Sequence, residues 1–92
     1  MNNYKIFETN EFQKRIAKIS KHDKSFIENK LQQYIYPQLM EEPHYGNNIK
    51  KLVNYKPETW RYRIGNYRLF YVIGELEKTI YIISIDLRKD AY

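Results

Sequence analysis

Apolar residues recur along this chain with two different periods, helical in the first part and strand-like in the second. Tyr4–Glu8 is short and β-prone and predicts a first strand. Phe12, Ile16 and Ile19 follow at helical spacing, behind Thr9 or Asn10, either of which can cap a helix. A break around Ser20–Asp23 precedes a second helix, and Ser25 followed by Glu28 has the pattern of a capping box. Ile27, Leu31, Tyr34 and Ile35 then form one apolar stripe. Pro37 is expected to end or kink that helix near Tyr36, because proline has no N–H to donate and clashes with the preceding turn. Residues 38–48, which include Pro43 and Gly46, read as a connector.

From Ile49 onward the period is two. Ile49–Val53 predicts a weak strand, Trp60–Ile64 and Tyr67–Ile73 a hairpin, and the β-branched run Thr79–Ile85 a last strand. Gly65-Asn66 between the two alternating runs is a two-residue hairpin loop. The order β-α-α-β-β-β gives an α+β fold, with an antiparallel sheet and a two-helix hairpin packed on one of its faces. All 92 residues are expected to form one domain.

Strand parity assigns the faces. If Ile64 pairs with Tyr67, then Arg63 lies opposite Arg68 and Arg61 opposite Phe70. Trp60, Tyr62, Ile64, Tyr67, Leu69, Tyr71 and Ile73 then share the face toward the helices. If Ile73 pairs with Thr79 across a five-residue turn, Tyr81, Ile83, Ile85 and Leu87 continue that face. The opposite face carries Arg61, Arg63, Arg68, Asp86 and Arg88 toward one end and Phe70, Val72, Ile80 and Ile82 toward the other. One bulge near the turn would reverse the parity beyond it. As an apolar quartet, Phe70, Val72, Ile80 and Ile82 are covered either by residues 38–48 or by a protein partner.

Charge changes the picture on that face alone. The chain carries a formal +5, of which +4 falls in residues 44–92, together with four of its five arginines. Arginine's planar fork suits phosphate better than lysine's point charge. Like charges directly across a strand pair repel, so Arg63 opposite Arg68 implies either an anion or neutralisation by an acid such as Asp86 or Glu58. Lys14, Arg15, Lys18 and Lys21 read as a solvated helix face.

Other chemistries find little support. There is no cysteine, hence neither a disulfide framework nor a thiolate metal site, and a cytoplasmic setting is the simplest expectation. The N-terminal residues show no signal-peptide pattern and no stretch approaches a membrane span. His22 and His44 have no companion ligands at metal spacing, Gly46, Gly65 and Gly74 are isolated, and no serine nucleophile comes with a His/Asp arrangement. What is left is charge stabilisation by fixed guanidinium groups. RNA would supply its own nucleophile in such a site, the 2′-hydroxyl beside the scissile phosphate.

The run Trp60-Arg61-Tyr62-Arg63-Ile64-Gly65-Asn66-Tyr67-Arg68-Leu69-Phe70-Tyr71, with the ending Arg88-Lys89-Asp90-Ala91-Tyr92, resembles the RelE/ParE toxin superfamily. The upstream helical hairpin fits as well. In the RelE branch this resemblance implies a toxin of a type II toxin–antitoxin pair that cleaves messenger RNA in the ribosomal A site. Such a toxin leaves a 2′,3′-cyclic phosphate, uses no metal or other cofactor, and is neutralised by a cognate antitoxin. By the same resemblance, Arg61 and Arg63 contact the scissile phosphate and Arg68 stabilises its developing charge. Arg88 protonates the leaving oxygen and Tyr92 deprotonates the 2′-hydroxyl. Lys50, Lys51 and Lys89 add contacts to substrate or ribosomal RNA.

Two departures accompany the likeness. Leu87 stands where many relatives carry histidine or lysine, and Tyr92 is the last residue of the sequence, with an α-carboxylate beside the implied base. Two rival readings stay open: the ParE branch, which inhibits DNA gyrase, and an inactive relative that only binds RNA.

Overall fold

Nine segments of regular backbone build a five-stranded sheet with helices on one face, and the computed structural model describes residues 3–87. In chain order they are β1 (Lys5–Glu8), α1 (Asn10–Ala17), α2 (Lys21–Lys30), a π-helical turn (Leu31–Ile35), α3 (Tyr36–Glu41), β2 (Ile49–Lys51), β3 (Trp60–Ile64), β4 (Tyr67–Gly74) and β5 (Thr79–Leu87). The strand order is β1-β5-β4-β3-β2. All pairs are antiparallel except β1 with β5, which run parallel, with Lys5 opposite Thr79. The sheet is therefore mixed, and the α+β layout of the sequence reading holds.

Both helix starts are fixed by hydroxyl caps. Thr9 Oγ1 accepts from the Phe12 N–H at 3.2 Å and donates to the Ile82 carbonyl at 2.8 Å, so one side chain caps α1 and ties it to β5. Ser20, not Ser25, caps α2 by accepting from the Asp23 N–H. The second helix therefore begins before the expected capping box, and Ser25 lies inside it.

Pro37 does not end this helix. The Tyr36 N–H bonds back to the Leu31 carbonyl across the widened π turn, and Pro37 falls in the first turn of α3, where no N–H is required. The wide turn keeps residues four apart in line, so Ile27, Leu31, Ile35 and Leu39 all face the core. Tyr34, expected on that stripe, is instead swung out and 61% exposed.

These residues, with Phe12 and Ile16 of α1, pack on Tyr62, Ile64, Leu69, Tyr71, Ile80, Ile82 and Ile85 of the sheet. The buried tyrosines tie their hydroxyls to neighbouring segments. Tyr71 donates to the Pro43 carbonyl at 2.7 Å, Tyr62 to Gln38 at 2.7 Å and Tyr36 to Glu8 at 2.6 Å. Burial, reinforced by the Glu8 carboxylate, pushes the Tyr36 hydroxyl pKa far up, so it stays a donor.

The expected register of the last strand needs two corrections. Gly74, not Ile73, pairs with Thr79, so the turn is one residue shorter than expected and the parity inverts. A bulge then follows, since Tyr71 faces Ile82 while Phe70 faces Ser84, leaving Ile83 as the extra residue. The bulge inverts the parity a second time. Consequently Ile80 and Ile82 are core residues with 0% exposure, Tyr81 turns outward, and Ile85 and Asp86 keep the faces expected of them.

The hairpin turn uses glycine for its conformation. Gly65 has φ +56° and open space around its absent side chain, and it occupies the first loop position of a primed turn. Gly65→Ala should therefore cost about 1–2 kcal/mol from backbone strain alone, read as a lower urea midpoint at unchanged m-value.

A second local device is a clasp around His44. Its Nδ1 lies 2.8 Å from Glu42 Oε2 and its Nε2 2.8 Å from Glu75 Oε2, while Tyr4 donates to Glu75 at 2.9 Å. The ring also packs edge-on to Trp60 at 5.5 Å. Burial pulls the His44 pKa down, but bonding and charge from Glu75 and Glu42 outweigh it, and the net shift is upward. The His44 backbone N–H and ring hold Glu42 below the usual carboxylate range, and the His44 ring does the same to Glu75. The histidine contribution is complete below its unfolded pKa of ~6.5 and fades as pH rises through the higher folded value. The carboxylate contributions are present above ~4.3 and fade as pH falls through the lower folded values. Stability measured from pH 6 to 8 should fall more in the native chain than in His44→Gln, by up to about 1 kcal/mol at these half-exposed groups.

Candidate anion-binding site

The face of the sheet turned away from the helices carries two rows of side chains. Lys50 of β2, Arg61 of β3, Phe70 of β4 and Ser84 of β5 form one row by direct pairing. Arg63, Arg68 and Asp86 form the next. The hairpin register is the one the two-residue loop required, with Ile64 opposite Tyr67 and Arg63 opposite Arg68. Period two does the rest, since Arg61 and Arg63 are two apart on β3 and must share a face.

These rows floor a hollow of about 400 Å³ lined by Lys50, Leu52, Tyr55, Arg61, Arg63, Arg68, Phe70 and Asp86. Leu52 and Tyr55 come from the segment between β2 and β3 and overhang the floor. The sequence reading passed over both: Leu52 was expected in a strand Ile49–Val53 that in fact ends at Lys51, and a loop aromatic such as Tyr55 has no parity to betray its direction. A larger hollow of about 680 Å³ lies between β1 and α3, but its lining includes only the two cations Lys5 and Lys78.

Arg68 is held against a neighbouring ring. Its guanidinium carbon sits 5.6 Å from the centre of the Phe70 ring, and its Nε is buried without a hydrogen-bond partner. A buried donor left unmade costs about 1–3 kcal/mol, so the position asks for an acceptor from outside the chain. Asp86 stands directly across from Arg68 in the ladder, yet its carboxylate accepts from Arg15 Nη1 at 2.8 Å, while Arg15 Nε holds Glu11 at 2.7 Å. Arg15, expected on a solvated face, thus reaches from α1 to occupy the nearest acid. Glu58, the other expected neutraliser, bridges Lys51 at 2.8 Å.

Among the described residues, four cations therefore share one hollow whose single lining acid is already engaged. At ~4 Å two like charges repel by about 1 kcal/mol in water and about 4 kcal/mol near a protein surface. An anion with several oxygens relieves that repulsion and supplies the acceptor that Arg68 Nε lacks. A phosphodiester has this character.

The other expected site residues divide as follows. Lys51 pairs with Trp60 in the ladder, hence on the opposite face from Lys50, and does not line the hollow. Arg88, Lys89 and Tyr92 lie outside the described residues. Phe70 and Val72 are half-buried on the outer face, whereas Ile80 and Ile82 are in the core and cannot contact a partner. The apolar quartet thus becomes Phe70, Val72, Tyr81 and Phe7, the last 54% exposed and stacked edge-on to Tyr81 at 5.9 Å. The connector does not cover this face, because Pro43 and His44 lie against Tyr71 and Trp60 on the helix side. Among the described residues, no three of His, Asp and Glu converge as a metal site would need, and no helix is long and apolar enough to cross a membrane.

A family model described as the ParE toxin of type II toxin–antitoxin systems matches residues 6–92. No curated protein matches the chain in sequence. Among solved structures, the chain is similar to one in the toxin–antitoxin complex RelBE2 from Mycobacterium tuberculosis, with a TM-score of 0.70 and 23% identity over 94% of this chain and 99% of that one. The archaeal RelE–RelB complex from Pyrococcus horikoshii gives 0.67 and 22% over 94% and 96%. A double arginine mutant of E. coli RelE in the free state gives 0.68 and 19% over 99% and 88%. At these identities the structural likeness shows a common fold.

Proposed function

The chain belongs to the ParE toxin family of type II toxin–antitoxin systems, within the RelE/ParE superfamily, and on the strength of its arginine-lined hollow we propose that it is a ribosome-dependent endoribonuclease. The observation that carries this reading is the buried, unpartnered Nε of Arg68 in the wall of a hollow shared with Arg61, Arg63 and Lys50. In the proposed reaction the 2′-oxygen of a nucleotide attacks the adjacent phosphorus. The bond to the 5′-oxygen of the next nucleotide breaks, leaving a 2′,3′-cyclic phosphate and a free 5′-hydroxyl. Negative charge grows on the non-bridging oxygens as the fifth bond forms, and fixed guanidinium groups stabilise that charge without reorganising. Arg61 and Arg63 hold the phosphate in the ground state, and Arg68 supplies the donor that is satisfied best in the transition state. The proton leaving the 2′-hydroxyl goes to Tyr92 and the proton reaching the 5′-oxygen comes from Arg88, the roles implied by resemblance.

The partners follow from the same reading. The substrate is messenger RNA in the ribosomal A site, so the setting is the cytoplasm, and Lys50 and the basic residues around the hollow meet RNA backbone. A cognate antitoxin neutralises the toxin, as the RelB complexes among the structural relatives suggest. An acidic segment over the arginine floor, or an apolar one over Phe70 and Val72, would do so.

A second reading has its own support, because the matching family model is described as ParE. That branch inhibits DNA gyrase. The two separate in one experiment, in which purified toxin is added to translating ribosomes while transcript ends are mapped, with a gyrase supercoiling assay run alongside. New ends at the A site support the nuclease; lost supercoiling supports the gyrase inhibitor; neither leaves an inactive relative.

A further inference from the structure

On α2 and the π turn, Phe26, Lys30 and Tyr34 fall at successive spacings of four and stand along one exposed edge of the helix. Phe26 is 50% and Tyr34 61% exposed, large fractions for aromatic rings with no core role. Lys30 sits between them, its Nζ 5.8 Å from the Phe26 ring centre and 5.0 Å from that of Tyr34. The cation lies near both rings, and each aromatic residue still keeps half or more of its surface exposed.

A hollow of about 280 Å³ opens between this ladder and the end of β3, bordered by Asn48, Arg63 and Gly65. Arg63 borders the arginine hollow as well, so the two concavities are neighbours that share a wall. Ring, cation, ring, then guanidinium is the composition of a surface for single-stranded nucleic acid, in which bases stack and phosphates meet charge. A hydrophobic peptide helix would instead want an apolar groove, and Lys30 and Arg63 interrupt one here.

We propose that Phe26, Lys30 and Tyr34 form a stacking platform for nucleotides flanking the phosphate bound at the arginine hollow, with Arg63 as the step between the two. This rests on the reading of that hollow as an RNA site. It assigns Tyr34 and Phe26 to bases and Lys30 to one backbone phosphate.

The test uses the full chain and fluorescein-labelled 2′-O-methyl RNA, which lacks the attacking hydroxyl, as a trinucleotide and as a decanucleotide. Anisotropy titrations compare the native chain with Tyr34→Ala, Tyr34→Phe, Phe26→Ala, Lys30→Gln and Arg68→Gln. Removing either ring should weaken the decanucleotide about tenfold and leave the trinucleotide unchanged, with Tyr34→Phe binding as the native chain does. Lys30→Gln should lower the salt slope for the decanucleotide by about 0.7, the loss of one phosphate contact on a single strand. Both oligonucleotides weakened by Arg68→Gln but by neither ring removal would overturn the platform and leave the hollow standing. A decanucleotide that depends on Tyr34 but not on Arg68 would support the platform and overturn the hollow. Dependence on neither would overturn both and leave the aromatic edge as a surface for protein.

Discussion

Arg68→Ala is expected to lower transcript cleavage on translating ribosomes by about 10²–10³-fold, the usual cost of one preorganised donor to a developing oxyanion. The size follows from the surroundings of this side chain. Its Nε is shielded from water and lacks a partner, and the ring of Phe70 fixes the guanidinium at 5.6 Å. Such a donor has no acid to give up, and a small shift of the side chain toward the hollow brings it to an incoming phosphate. Arg68→Lys should recover only part of the activity, because an ammonium restores charge but cannot present the Nε donor. Single-turnover rates at saturating toxin separate the loss from weakened ribosome binding. Full activity in Arg68→Ala would remove this arginine from the chemistry, and the proposal that rests on it.

The second large effect is on stability. Ile82→Ala should cost about 2–5 kcal/mol, a substantial part of the ~5–15 kcal/mol that holds a domain folded. Ile82 has 0% exposure and lies opposite Tyr71, itself at 0%, so deletion leaves a cavity that neither the helices nor the sheet can close. Val72→Ala on the same ladder should cost under about 1 kcal/mol, because Val72 is only half-buried on the outer face. Urea midpoints for the two variants decide the matter. Equal losses would mean that Ile73, not Gly74, pairs with Thr79 and that Ile82 faces outward beside Val72.

That contrast bears on what could be read from residues alone. The hairpin was fully legible, since a two-residue loop admits one register and alternation on both sides admits one pair of faces. Arg61, Arg63 and Arg68 therefore gather as expected. The last strand was not legible, and the cause is specific. Ile80, Ile82, Ile83 and Ile85 place isoleucine on both parities, so hydrophobicity carries no signal of which side faces in. The turn before it is closed by Lys78 at φ +52°, a conformation that the sequence Glu75-Leu76-Glu77-Lys78 does not announce. Two inversions, one from that turn and one from the bulge, cancel at Ser84, which is why Asp86 still reached the arginine face.

Near Pro37 the helical path changes at Tyr36, where an end or a kink was expected, and it does not end there. Proline forbids a particular hydrogen bond, and an earlier π turn that re-phases the ladder makes that bond unnecessary. The same turn turned Tyr34 outward. Side-chain pairings between distant segments, such as Arg15 with Asp86, leave no periodic trace at all.

The pairing of β1 with β5 has a temporal consequence. Lys5 is among the first residues to be synthesised and its partner Thr79 comes more than seventy positions later. A parallel edge strand has no local neighbour to dock on, and closing so long a loop is slow. While the polypeptide is still being made, β1 waits unpaired until β5 has cleared the exit tunnel. Arg68 and Asp86 are set opposite each other by the same late strand. Neither the parallel edge pair nor the Arg68–Asp86 juxtaposition can therefore form before the last strand has been made.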